Sequence, residues 1–238
     1  MFARLLQGAS VRLGALAAQL PSQCAVCRAW PAHPVCETCA GRFAQPVPRC
    51  RTCALPLPAG QMHCGACLRQ PPPLDACFAA VAYAWPWTEG LARFKFHQDT
   101  GWARPLATLL RGTPWVEPAL EQADRVLPMP LSRQRLAERG YNQALLLARV
   151  LAPEKTDATL LLRTRDTPPQ RTLARAERLR SVHQAFAVEP LRAATLRGRR
   201  VVLVDDVMTS GASLHAAATA LREAGAGHIT ALVVARTE

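Results

Sequence analysis

Lysine is nearly missing from this sequence, and so are long apolar runs. Lysine occurs only at positions 95 and 155, so arginine supplies nearly all of the 29 basic residues. No apolar stretch reaches the roughly eighteen residues that a transmembrane helix needs, which argues against stable insertion in a membrane. Residues 1–20 lack the apolar centre and cleavage site of a secretion signal. We therefore predict a cytoplasmic protein.

Aromatic residues are also few, whereas positive charge is in excess. Aromatic side chains make up 5% of the sequence, and we expect core packing for most of the five tryptophans, Trp30, Trp85, Trp87, Trp102 and Trp115. An extended stacking platform for nucleic acid is therefore not evident. The 29 basic and 17 acidic residues give a formal net charge of +12 and a pI near 10.1. Such a field attracts phosphorylated ligands or nucleic acid, although a general bias towards arginine explains the same composition.

Cysteine is concentrated in the first third of the chain. Eight of the nine cysteines form four Cys-x-x-Cys pairs: Cys24/Cys27, Cys36/Cys39, Cys50/Cys53 and Cys64/Cys67. Two such pairs complete a tetrahedral zinc site, so we predict two structural Zn²⁺ ions. Disulfides are the alternative, but they are rare in chains without a secretion signal. Sequential and crossed pairing both stay open, His33 and His63 are possible replacement ligands, and we expect the leftover Cys77 in the core.

Three segments are predicted from composition and periodicity. We expect an amphipathic helix at residues 1–20 and a zinc-ribbon-like module at residues 21–70, whose small core would depend on metal. Pro71–Pro73 marks a boundary, and residues 77–238 form the third segment. Strands at 76–85, 125–130, 201–204 and 228–235 alternate with helices at 88–96, 102–110, 144–151 and 214–224. This alternation predicts an α/β fold with a mainly parallel sheet flanked by helices.

Acidic, hydroxyl and glycine residues meet at the end of the third of these strands. The apolar run Val201–Val204 is typical of a central strand, and Asp205 and Asp206 follow it directly. Thr209, Ser210, Gly211, Ala212 and Ser213 then precede a helix. Hydroxyls and backbone N–H groups at a helix start can cradle phosphate, Gly211 can adopt positive φ, and Ser213 can cap the helix. The alternative is a capped turn with no ligand.

Arginines cluster after the second strand, in the segment Leu131–Gln143. Arg133, Arg135 and Arg139 lie there, and planar guanidinium groups suit bidentate contacts with phosphate or pyrophosphate. We therefore interpret the segment as an arginine loop that faces phosphate. A solvated basic helix is the alternative.

The stretch from Asp205 to Ser213 resembles the PRPP-binding motif of type I phosphoribosyltransferases. The resemblance implies that Asp205 and Asp206 hold the ribose hydroxyls of PRPP and that Thr209–Ser213 wrap its 5′-phosphate. Arg133 and Arg139 would receive the pyrophosphate, with Mg²⁺ bridging ribose and pyrophosphate oxygens. By the same resemblance, the arginine-rich segment 163–180 lies where a mobile loop closes over PRPP, although it could equally be a surface helix.

A wider pattern is similar to the ComF/GntX family over nearly the whole chain. It comprises the cysteine pairs, Pro128-Met-Pro130, Arg139-Gly-Tyr-Asn-Gln143, Thr167 and Gln170 with Arg178, Ala185-Phe186 and the acid motif. Tyr141, Ser210, Ser213 and His183 depart from the usual residues. The resemblance implies a PRPP-binding, phosphoribosyltransferase-like protein that handles single-stranded DNA in natural competence, alongside proteins of the competence machinery. The alternatives are a phosphoribosyltransferase acting on an unidentified nucleobase-like acceptor and a PRPP-sensing regulator.

Overall fold

The computed structural model of the protein describes residues 22–164 and 185–238. The helix predicted at residues 1–20 and most of segment 163–180 lie outside the described residues. Eight α-helices are found in the described ranges: α1 (Glu37–Phe43), α2 (Gly65–Arg69), α3 (Trp87–Phe96), α4 (Ala103–Arg111), α5 (Val116–Gln122), α6 (Arg133–Arg139), α7 (Gln143–Leu151) and α8 (Ala212–Glu223). Thr100–Trp102 and Pro190–Leu196 form 3₁₀ turns. None of the helices described is long and apolar enough to cross a bilayer.

A four-stranded parallel sheet forms the centre of the fold. The strands are β1 (Ala76–Ala82), β2 (Arg125–Pro128), β3 (Leu161–Arg163), β4 (Phe186–Val188), β5 (Arg200–Met208) and β6 (His228–Arg236). The main sheet has the order β1-β6-β5-β2, and every neighbouring pair is parallel. The short strands β3 and β4 form a separate antiparallel ladder. The predicted α/β fold with a parallel sheet and flanking helices is therefore confirmed.

The sheet is buried on both faces, which explains the unbroken apolar run in β5. Val201 and Leu203 belong to a core cluster that includes the inner face of α8. Val202 and Val204 belong to a second cluster, formed with side chains of α3, α4 and α7. A central parallel strand covered on both faces needs apolar residues at successive positions. Each fully buried valine or leucine contributes about 1.5–3 kcal/mol.

The cysteine-rich segment divides between these two clusters. Cys24 and Cys39 pack with the α3 and α4 side of the sheet. Cys50, Cys53, Cys64 and Cys67 pack on the α8 side. The cysteines therefore share the core of the sheet. Cys77 is buried, as expected, and its thiol lies 3.7 Å from the sulfur of Met208.

Three expectations about local structure are wrong. β5 continues to Met208, so Asp205 and Asp206 lie inside the strand and not beyond it. The N-cap of α8 is Gly211, and no side-chain hydrogen bond caps the helix, so Ser213 does not cap it. The segment with the clustered arginines is not a loop, because residues 133–139 form α6. Its first turn is capped by Ser132, whose hydroxyl oxygen accepts a 3.2 Å hydrogen bond from the Arg135 N–H.

The expectation for the tryptophans is also wrong. Trp87 and Trp102 are buried, but Trp30, Trp85 and Trp115 are 65%, 64% and 70% exposed. Indole burial depends on which elements pack over the ring, and the composition of the neighbouring residues does not reveal that. Three large aromatic surfaces are therefore available to solvent.

Candidate functional site

A polar cavity of about 180 Å³ lies at the carboxyl edge of the sheet. It is lined by side chains from α3 and α6 and by the end of β5 with the loop that follows: Lys95, Arg135, Arg139 and residues 205–214. Ligands bind at this edge of open parallel sheets, because the loops that leave the strands converge there. The cavity thus brings together both predicted acids, the whole predicted phosphate loop and two of the clustered arginines.

The two acids at the cavity have different environments. Asp206 is only 6% exposed, and its Oδ1 lies 2.9 Å from the Lys95 ammonium. Burial, followed by the neighbouring charge of Asp206, raises the pKa of Asp205 from 3.8 to about 7, and Lys95 partly offsets the rise. Asp205 also accepts a 2.9 Å hydrogen bond from the Asp206 N–H. The pair can therefore accept hydrogen bonds from ligand hydroxyls or coordinate a divalent cation, and a cation would relieve the repulsion between the acids.

The loop after β5 has a conformation that only glycine accommodates at position 211. Gly211 has φ of +81°, and a Cβ at this position would lie 2.5 Å from the Met208 methyl group. A glycine is therefore required both by the backbone conformation and by the space. The loop leads into α8, whose first N–H groups have no partner within the helix. Together with the hydroxyls of Thr209, Ser210 and Ser213, these groups suit a phosphate ligand.

The arginines that line the cavity are Arg135 and Arg139. They are four residues apart on α6 and therefore share one face of the helix. Arg133 was predicted as a pyrophosphate ligand with Arg139, but it is not among the described residues that line the cavity. Arg139 donates a 3.0 Å hydrogen bond to the Gln143 side chain, and its guanidinium lies 5.5 Å from the centre of the Phe96 ring. These contacts orient one cation towards the cavity.

The sequence motif Arg139-Gly-Tyr-Asn-Gln143 connects α6 and α7 by hydrogen bonds to α3 and to the end of β2. The Tyr141 hydroxyl donates to the carbonyl of Phe94 at the end of α3. The Asn142 side chain donates to the Met129 carbonyl at 3.0 Å, and its oxygen accepts from the Leu145 N–H at 3.2 Å to cap α7. The motif therefore positions Arg139 and the carboxyl end of α3 relative to β2.

Lys95 is a site residue that the sequence analysis missed. The sequence predicts for it only a place in the helix at 88–96, whereas its contact with Asp206 joins two distant parts of the chain. The helix that carries it packs closely on Trp102, since a Cβ on Gly90 would lie 2.4 Å from the indole ring. One signal was available, because Lys95 is one of only two lysines in an arginine-rich chain.

The cysteines form two groups with the geometry of metal sites. The first cysteine group is Cys24, Cys27, Cys36 and Cys39, and the second is Cys50, Cys53, Cys64 and Cys67, with all ligand atoms of a group within 4.8 Å of one another. The pairing is therefore sequential, and within the described ranges both groups consist of cysteines alone. Sulfurs on tetrahedral zinc are separated by about 3.8 Å, given a Zn–S bond of about 2.3 Å. The observed contacts between Cys27 and Cys36 and between Cys53 and Cys64 are 3.6 and 3.7 Å.

Backbone N–H groups point at the sulfurs in both cysteine groups. Cys24 accepts from the Cys36 N–H at 3.4 Å, and Cys50 accepts from the Cys64 N–H at 3.3 Å. Burial opposes ionisation, but these and other backbone N–H donors lower the pKa of Cys24 and of Cys50 to about 6. Thiolate is the form that binds metal. Both groups therefore fit zinc, with the first group partly exposed at Cys27 and the second buried throughout.

A larger cavity of about 900 Å³ opens at the opposite, amino-terminal edge of the sheet. It lies between the cysteine-rich segment, the start of β1 and the region of α5, and its lining includes Met62, Trp115 and Val201. Apolar surface predominates in this lining. The acids and hydroxyls described above belong to the smaller cavity.

Comparison with known proteins agrees with this arrangement. Residues 144–238 match the model of the phosphoribosyl transferase domain. The chain is 30% identical to DNA utilization protein YhgH of Escherichia coli strain K12 over 231 residues, which cover 92% of this chain and 98% of that protein. It is 33% identical over 199 residues to Competence protein F of Haemophilus influenzae, covering 79% and 85% of the two chains. With Competence protein ComFC of Bacillus subtilis it shares 32% identity over 137 residues, covering 58% and 54%.

Proposed function

Because this chain belongs to the ComF/GntX family of phosphoribosyltransferase-fold proteins, we propose that it binds PRPP at the carboxyl edge of its sheet and handles single-stranded DNA during DNA uptake. The observation that carries the proposal is the cavity itself. It combines an acid pair, a glycine-containing hydroxyl loop and cations from two helices within one small volume. Relatives named for DNA utilization and competence support the biological role.

The cavity offers a complementary group for each part of PRPP. Asp205 and Asp206 would accept hydrogen bonds from the ribose hydroxyls, and the residues from Thr209 to Ser213 would hold the 5′-phosphate. Arg135 and Arg139 would receive the pyrophosphate, because guanidinium groups bind paired phosphate oxygens in bidentate geometry. Asp205 and Asp206 would also hold Mg²⁺, which would balance the negative charge of the pyrophosphate and of the acids. Lys95 would hold the Asp206 carboxylate in place through its 2.9 Å ion pair.

A second candidate function is phosphoribosyl transfer to a nucleobase-like acceptor. The raised pKa of Asp205, to about 7, favours it, since strongly perturbed carboxyls in clefts are common in active sites. In that reaction the bond from ribose C1 to the pyrophosphate oxygen breaks and a bond from C1 to the acceptor nitrogen forms. The acceptor loses a proton, and positive charge on C1 in the transition state is stabilised by nearby carboxylates. PRPP binding without turnover of any nucleobase would leave a PRPP-sensing role.

Handling of DNA is supported by charge and by the exposed aromatic rings. The formal net charge of +12 favours contact with a polynucleotide backbone. Trp30, Trp85 and Trp115 expose large ring surfaces, and bases of any sequence can stack on such rings. We therefore expect binding that tolerates sequence and falls steeply with salt.

One titration tests both parts of the proposal. Labelled single-stranded DNA is titrated at low and high salt, with and without PRPP and Mg²⁺, into the wild type and the double variant Asp205→Asn/Asp206→Asn. The control Glu117→Gln/Glu121→Gln removes the same charge away from the cavity. We expect PRPP to change DNA affinity in the wild type and the control but not in the aspartate variant. Since loss of two acids by itself strengthens DNA binding, the PRPP-dependent difference is the deciding quantity.

The outcomes separate the two parts. Absence of DNA binding at low salt would refute the DNA-handling role. DNA binding that ignores PRPP, in a protein that binds PRPP, would refute coupling between them.

A further inference from the structure

Arg236 is a buried cation at the carboxyl end of β6, next to the phosphate loop. Only 6% of the surface of Arg236 is exposed. Its Nε donates to the Cys53 carbonyl at 2.9 Å, and its Nη1 donates to the carbonyls of Met208 at 3.2 Å and of Thr209 at 2.5 Å. The Thr237 carbonyl accepts from the same nitrogen. One guanidinium therefore joins a residue of the second cysteine group to the end of β5 and the first residue of the phosphate loop.

The partners of Arg236 are the four carbonyl oxygens and, at 3.4 Å, the Thr237 hydroxyl. Within residues 22–164 and 185–238, no carboxylate forms an ion pair with it. A buried cation is costly to hold unless its N–H groups are satisfied. Its position therefore depends on the acceptors contributed by Cys53, Met208 and Thr209 together. If one acceptor moves, the guanidinium loses the geometry that holds the other two.

The bond to the loop also affects how the loop meets an anion. Arg236 binds the carbonyls of Met208 and Thr209, but it does not line the cavity with the acids. These two carbonyl oxygens accept hydrogen bonds from the guanidinium, so they are not directed at a phosphate in the cavity. The loop is thereby kept in the conformation that leaves its N–H groups and hydroxyls for the ligand.

The bond to Cys53 makes this arrangement depend on metal. The second cysteine group fits zinc, and a short segment of this kind depends on its metal to fold. Loss of the metal would release the Cys53 carbonyl from its fixed position and admit water to Arg236. The first cysteine group packs on the other face of the sheet and, within residues 22–164 and 185–238, makes no hydrogen bond to Arg236.

We propose that Arg236 is a positioning residue that couples metal binding at the second cysteine group to anion binding at the loop after β5. The proposal rests on the proposed PRPP-binding function. Metal at the second group strengthens PRPP binding, and by thermodynamic reciprocity PRPP strengthens metal retention at that group by the same factor. The expected coupling is on the order of tenfold, within the usual range for linked sites.

Zinc release measures the coupling without any assay of turnover. The full-length, zinc-loaded protein is mixed with an excess of a chromophoric chelator, with Mg²⁺ and with or without PRPP. Two phases are expected, because Cys27 of the first group is exposed whereas all ligands of the second group are buried. The variant Cys27→Ser identifies the phase of the first group. PRPP should slow release from the second group and, in competition with graded chelator concentrations, raise its zinc affinity about tenfold, while the first group stays unchanged.

Two substitutions at Arg236 and one control test its part in this effect. Arg236→Met removes the donors at similar size, so PRPP should no longer slow release from the second group. Arg236→Lys keeps the charge but has one short donor group, so part of the effect should remain. The control Arg222→Met removes an arginine at the amino-terminal edge of the sheet, which pairs with Asp75 and donates to the carbonyls of Ala226 and Gly227. Its response to PRPP should equal that of the wild type.

The outcomes distinguish failure of the coupling from failure of PRPP binding. Calorimetry that shows PRPP binding, together with unchanged zinc release from the second group, would overturn the coupling and leave the proposed function standing. A wild type that does not bind PRPP would overturn both. If Arg236→Met does not fold with both metals bound, the wild type and Arg236→Lys still test the proposal. It is contradicted if PRPP does not slow zinc release in the wild type. It is also contradicted if PRPP slows zinc release in Arg236→Lys as much as in the wild type.

Discussion

Replacing Asp205 by asparagine should stabilise the protein at neutral and higher pH. The side chain lies in β5 beside Asp206, where burial and the neighbouring charge raise its pKa from 3.8 to about 7. The ionised Asp205 side chain therefore lowers the free energy of unfolding, whereas an uncharged amide of the same size does not. This is the expected behaviour of a group kept for a ligand and not for stability.

The pKa gives the direction and the size of the effect. A carboxyl with a raised pKa in the folded state favours folding fully below pH 3.8, and this contribution is lost as pH rises through about 7. One pKa unit corresponds to about 1.4 kcal/mol, so the rise from 3.8 to about 7 sets an upper limit of about 4 kcal/mol. Asp205 interacts with both Asp206 and Lys95, so its replacement recovers only part of this limit. We expect a gain of about 2 kcal/mol for Asp205→Asn at pH 8.

The assay is urea unfolding of the zinc-loaded wild type and Asp205→Asn at pH 5 and pH 8. The difference in unfolding free energy should favour the variant at pH 8 and be less than half as large at pH 5, because the penalty of ionised Asp205 develops between pH 3.8 and about 7. Asp157→Asn is the control of opposite sign. Burial opposes ionisation of Asp157, but hydrogen bonds from Arg192 and Thr159 outweigh it and lower the pKa of this carboxyl. The wild-type carboxylate therefore stabilises the fold at pH 8. A gain for Asp205→Asn that is equal at the two pH values, or a loss at pH 8, would refute the reasoning.

Three further predictions concern other parts of the site. Lys95→Met leaves Asp206 buried without its cation and should lower the unfolding free energy by about 3 kcal/mol in the same urea assay. Arg93→Met breaks a partly exposed ion pair with Asp99 and should cost less than about 1 kcal/mol. Metal analysis of the purified protein should give two zinc ions per chain, one for each cysteine group, and a native-like fold without metal would contradict this. Gly211→Ala places a Cβ at φ of +81° and 2.5 Å from the Met208 methyl group, so it should cost about 1 kcal/mol in thermal melts and weaken PRPP binding; unchanged stability and affinity would count against the loop as described.

The features that the sequence predicts well are those with a short repeat or a local pattern. The spacing of the cysteine pairs is set by the geometry of a metal-binding turn, and the structure shows both groups. The apolar run Val201–Val204 reports burial on two faces, and it forms the centre of β5. These patterns arise within a few residues, so no knowledge of distant contacts is needed to detect them.

The features that were missed depend on contacts between distant residues. β5 runs past its acids because Val207 and Met208 pair with Ala235 and Arg236 of β6, a register that local composition does not reveal. The contact of Lys95 with Asp206 has the same origin. For the arginines, treating residues 133–139 as a helix would have grouped Arg135 with Arg139 by their spacing of four. The strands β3 and β4 span three residues each, too few for a period to be recognised.

Calorimetric titration of PRPP with Mg²⁺ tests the central claim most directly. The wild type, the cavity variant Asp206→Asn and the control Asp124→Asn, which changes an acid paired with Arg199 outside the cavity, are compared at one ionic strength. The account predicts saturable binding of one PRPP per chain to the wild type and the control, with at least about tenfold weaker binding to Asp206→Asn, the loss of one hydrogen-bonded charge contact. Equal affinity in all three proteins, or no binding to the wild type, would contradict it.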